Sequence, residues 1–144
     1  MMRHRIAALT AATVLLAGGA LATATSASAT VDPPSGGWDH TWTTTDSAHG
    51  GTVYVAEHGD VVSVCDTASD GTAPRVQVWV QSSSGQYNSR YIIEATGGLG
   101  SCKTVSASDG GIYDLPENVN IAVSIWLGPS VGHLGSEHTF VNDH

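Results

Sequence analysis

The chain has 144 residues, 41% of them hydrophobic, with 13 Asp or Glu against 5 Lys or Arg and a formal charge of −8. A field of that sign repels phosphate backbones and anionic lipid surfaces, which argues against nucleic acid and membrane as partners and leaves neutral sugars, cations or a basic protein. The length suits a single domain.

The chain begins with Arg3, His4 and Arg5, followed by the apolar "IAALTAATVLLAGGALA" and then Ala27-Ser28-Ala29. A basic start, an apolar stretch and an A-x-A site, in that order, predict a secretory signal peptide over residues 1–29. Apolarity fades into the Thr/Ser-rich "TATSASAT", which fits export better than a membrane span of about 20 apolar residues. Removal of the leader would leave Arg75, Arg90 and Lys103 as the fixed cations of a secreted, acidic chain. Residues 30–37, "TVDPPSGG", have little to bury and are expected to form a flexible leader to one domain over 38–144.

From there the chain repeats with period two. "RVQVWVQS" sets Val76, Val78 and Val80 on one face, and Gln77, Trp79 and Gln81 on the other. "NVNIAVSIWL" sets Val119, Ile121, Val123, Ile125 and Leu127 opposite Asn120, Ala122, Ser124 and Trp126. Alternation of this kind predicts strands with one apolar face. Shorter runs, "HTWTTT", "GTVYVAE", "DVVSVCD", "SRYIIEA", "SCKTVSA" and "EHTFVN", lie between Gly- and Asp-containing turns. The expected fold is all-β, a small antiparallel β-sandwich of about eight strands without a helix.

Cys65 and Cys102 are the only cysteines. In an exported chain an even count predicts a disulfide, and two cysteines pair in only one way. The spacing around Trp79 invites comparison with an immunoglobulin domain. Gly100 occupies the place where a tyrosine corner would put Tyr, and Trp79 shares a face with glutamines, so a sandwich is expected but not that family.

"DTASDGTAPRVQ" partly follows the calcium-loop template. Asp66, Asp70 and Gly71 fall at the required first, fifth and sixth positions, but Ala68 offers no oxygen at the third and Gln77 replaces the closing Glu. A looser cation site of Asp60, Asp66 and Asp70 falls short of the six to eight oxygens calcium takes. The expectation is a turn whose Asp side chains bond nearby backbone N–H groups, with no metal and no cofactor.

The same stretch, "GDVVSVCDTASDGTAPRVQVWV", together with "GSCKTV" and "LPENVNIAVSIW", resembles a family of short exported actinobacterial proteins of unknown function. They share a signal peptide, a G-D-x4-C-D-x3-D-G core and a P-E-x3-I/V segment. The resemblance spans about Val53 to Trp126 and implies export and a β fold, with no activity attached. Members often carry a second cysteine pair near the C-terminus, where this chain has "WLGPSVGHLGSEHTF".

Catalytic patterns fare poorly. "GPSVG" matches G-x-S-x-G at Ser130, but that elbow needs a strand turning into a helix, and Pro129 with the following glycines forbids the helix. His40, His49, His58, His133, His138 and His144 follow no zinc spacing and read as solvated loop residues. Paired carboxylates for glycoside hydrolysis are defined by their separation across a cleft, which sequence does not give. The expectation is a protein that is not an enzyme.

The polar strand faces carry the functional expectation. Trp79 and Trp126, flanked by Gln77, Gln81 and Asn120, would offer a sugar ring an apolar surface with amides for its hydroxyls. The favoured reading is an extracellular carbohydrate-binding module with polysaccharide as partner. The alternatives are a protein-binding or inhibitor module meeting a basic protein and, last, a small hydrolase.

Overall fold

A computed structural model describes residues 31–144; the expected signal peptide, residues 1–29, lies outside the described residues, as does Thr30. The described chain forms eight strands: β1 (His40–Thr43), β2 (Gly51–Ala56), β3 (Val61–Asp66), β4 (Pro74–Gln81), β5 (Tyr87–Glu94), β6 (Cys102–Val105), β7 (Val119–Leu127) and β8 (Ser136–Asn142). All eight coincide with runs of alternating or β-branched residues in the sequence. Two single-turn 3₁₀ helices, Ala107–Asp109 and Gly111–Tyr113, are additions to the all-strand expectation. No helix among the described residues is long and apolar enough to cross a membrane.

The strands form two antiparallel four-stranded sheets, ordered β1-β2-β3-β6 and β5-β4-β7-β8. Packing β2 over β7 and β3 over β4 makes the sandwich. The core is what period two dictates. Val53, Val55, Val62 and Val64 of the first sheet face Val76, Val78, Ile121, Val123 and Ile125 of the second, each no more than 1% exposed.

Cys65 and Cys102 form the disulfide, 37 residues apart in sequence and 4.1 Å between Cα atoms. They are register partners on the neighbouring strands β3 and β6. The bond lies within one sheet, whereas the immunoglobulin disulfide crosses between sheets.

The leader is not detached throughout. The Trp38 indole donates to the Pro34 carbonyl at 2.9 Å, and its ring lies 5.5 Å from that of Tyr54.

Candidate functional site

The outer face of the second sheet carries the residues that the strand pattern singles out. Register places Trp79 of β4 between Ser89 of β5 and Ala122 of β7, with Thr139 of β8 beyond Ala122. The Trp79 side chain is half-buried. Towards the β5 edge the face also exposes Tyr87 at 38% and Ile92 at 52%. The pairing of β4 with β5 slips by one residue between Val78 and Trp79, and such bulges re-aim side chains on a sheet.

The amides around Trp79 are held in place by side-chain hydrogen bonds. Gln77 Nε2 donates to Ser89 Oγ at 2.7 Å, and Asn120 Nδ2 donates to Gln81 Oε1 at 2.7 Å. Ser124 Oγ donates to Glu137 at 3.1 Å farther along β7. Gln81 and Asn120 line an open depression of about 250 Å³ with Ser82, Ser83, Asn118 and Val141. Ser82 also lines a larger cleft of about 570 Å³, where Asn88, Arg90, Asp114 and Glu117 surround Val80 and Leu115. Arg90 is fixed there by donating to the Asp114 carbonyl at 3.1 Å.

Trp126 does not share this surface. Its ring is 1% exposed, which corrects the expectation of a two-tryptophan platform. The segment between β7 and β8 folds back over it, with Leu127 N donating to the His133 carbonyl at 3.2 Å. Gly135 sits so close that a Cβ there would lie 2.5 Å from the Ile125 carbonyl oxygen and 3.0 Å from Trp126 Cβ. Strand alternation put Trp126 on the outer face; a loop then covered it.

The three aspartates weighed as a loose cation site are not brought together either. Asp60 precedes β3 and Asp66 ends it, so the strand holds them roughly 20 Å apart at about 3.3 Å per residue. Asp60 is 4% exposed, with φ of 54°. Its carboxylate accepts from Leu115 N at 2.9 Å and from Asn142 Nδ2 at 3.0 Å, pinning two distant segments together. Asp66 accepts from Ala68 N at 3.2 Å and Asp70 from Thr72 N at 2.7 Å, which is the turn chemistry expected. Burial and the nearby Asp70 raise the Asp66 pKa, partly offset by the Ala68 bond.

Ser130 lies exposed in the turn between β7 and β8, and the chain after it enters another strand. The histidines are less uniform than loop residues would be. His49 and His133 are exposed in turns, whereas His40 and His138 lie on strands β1 and β8 and are half-buried. These two sandwich the Trp42 ring, with centroid distances of 5.1 and 4.6 Å. Period two gave the signal: "HTW" and "EHTF" place His40, Trp42, His138 and Phe140 on inward-facing positions.

The chain matches no family model, no curated protein and no solved structure.

Proposed function

We propose that this is a secreted carbohydrate-binding protein, acting by recognition rather than catalysis, that takes polysaccharide on the outer face of the second sheet. The observation that carries this reading is the setting of Trp79: a half-buried indole on the outer strand face, between the buried Gln77, bonded to Ser89, and the more open amide pair Gln81–Asn120, each bond 2.7 Å. A sugar ring presents an apolar face to an aromatic plane and hydroxyls to its neighbours, and amides fixed beforehand lose little side-chain freedom on binding. The open depression beside Gln81 and Asn120 gives room for a further sugar. Export is supported by the leader pattern and by the disulfide, a bond that persists in oxidising compartments. The same features fit membership of the short exported actinobacterial proteins that the core motif resembles.

The test is retention of the purified protein on chitin, cellulose, xylan and bacterial cell wall, with tryptophan fluorescence followed in parallel. Retention on one polymer, lost in Trp79→Ala and weakened in Asn120→Ala, supports the reading. Failure to bind any of the four, or binding unaffected by Trp79→Ala, rejects it and turns the search to protein partners.

A further inference from the structure

At the side of the sandwich where β1 and β8 run, a second constellation forms from residues far apart in sequence. Glu57 follows β2, and Asp143 and His144 follow β8. One ligand atom from each of the three lies within 4.8 Å of the others. His144 Nε2 is 3.6 Å from Asp143 Oδ1 and 3.9 Å from Glu57 Oε2. Both separations exceed a hydrogen bond. They approach the edge of a tetrahedron of zinc ligands, about 3.4 Å for metal–ligand bonds of about 2.0–2.1 Å.

Glu57 is prepared for the role. It is 9% exposed, and its backbone N–H donates to Asp39 Oδ2 at 2.8 Å. Its Oε1 is bonded to His40 Nε2 at 2.6 Å, so that Oε2 is the oxygen turned to His144. His40 is itself held by stacking on Trp42 and by Phe140, whose ring lies 4.6 Å away. An imidazole behind a ligating carboxylate orients it and tunes its basicity, as outer partners of metal ligands do.

We propose that Glu57, Asp143 and His144 bind one divalent zinc ion, with His40 positioning Glu57. One imidazole and two carboxylates suit zinc, with its fourth position left to water; calcium would take six to eight oxygens. The ion clasps the end of β8 in the second sheet to the end of β2 in the first. It stabilises the sandwich on the side that the disulfide, at β3 and β6, does not reach.

The test is calorimetric titration of the untagged protein with zinc chloride and with calcium chloride. We expect one zinc bound per chain, no calcium binding at the same concentrations, and a melting temperature about 5 °C higher with zinc in excess. His144→Ala and Glu57→Gln should each weaken zinc binding by at least about tenfold, while His133→Ala, in the exposed turn, should not change it. His144 lies past the last strand, so its replacement tests the site without risk to the fold. Zinc affinity unchanged in His144→Ala, or lost equally in His133→Ala, overturns the proposal, as does absence of zinc binding by the unaltered protein.

Discussion

Trp42 and His138 lie face to face, their ring centroids 4.6 Å apart and their planes within 3°. One belongs to the edge strand of the first sheet and the other to the edge strand of the second. With His40 stacked on the other side of Trp42 and Phe140 tilted against both, the column closes one side of the sandwich. Rings do there what aliphatic side chains do in the middle.

Removing the central ring should therefore loosen the two sheets together. Trp42→Ala is expected to cost about 2–3 kcal/mol, somewhat below the range for a fully buried tryptophan because Trp42 is half-buried. Urea unfolding monitored by circular dichroism measures this directly. An unchanged midpoint would mean that the column adds nothing to the packing beneath it.

The same column predicts a dependence on pH. Burial lowers the His138 pKa, so the folded protein favours the neutral ring. Between the folded value and the unfolded value of about 6.5, the unfolded chain binds more protons. The stability from the neutral ring is complete above the unfolded value and is lost as pH falls through the folded one. Comparing urea midpoints across this window should show a decline toward acid that is smaller in His138→Gln. An equal decline in both proteins would assign the effect to other groups.

The two tryptophans of the second sheet should respond oppositely to replacement. Trp79→Ala removes a half-buried ring from an open face and should lower stability by less than about 2 kcal/mol while abolishing polysaccharide retention. Trp126→Ala empties a buried site and should cost about 3–5 kcal/mol. Thermal melts of both variants, run beside the binding assay, separate the recognition residue from the packing residue.

Asp60 offers a sharper structural test. Its carboxylate serves both Leu115 N and Asn142 Nδ2, and hydrogen bonds to a charged group are worth about 1.5–3 kcal/mol each, with orphaned buried donors adding to the loss. Its left-handed backbone, at φ 54°, also disfavours alanine. Asp60→Ala should cost about 3 kcal/mol or more, read from the urea midpoint. It should also speed hydrogen exchange at Leu115 N, the donor it strands.

Reduction of Cys65–Cys102 should lower stability by about 4 kcal/mol on the loop-entropy account for a separation of 37 residues. Because the two residues are already register partners in the ladder, the sheet pairing should survive. The expected result is a lower urea midpoint in reductant with the far-ultraviolet spectrum unchanged. Loss of the strand signal would show that the bond organises β6 as well as tethering it.

The sequence by itself determined the strands, their buried faces and the disulfide. These follow from local causes: valines and isoleucines spaced by two must fall on one side of an extended chain, and two cysteines allow a single pairing. Tertiary structure decided what became of the residues on the other side. Trp79 and Trp126 both fall on the outer face of adjacent strands, four residues apart along the ladder, yet the loop after β7 buries Trp126 while Trp79 stays half-buried. Asp60, Asp66 and Asp70 are neighbours in sequence, but an extended strand carries Asp60 away from the other two. Glu57 and His144, distant in the chain, come within 3.9 Å because the ends of β2 and β8 lie on the same side of the sandwich. Alternation fixes which way a side chain points; which strand end or loop it meets there is set by how the two sheets are stacked and joined.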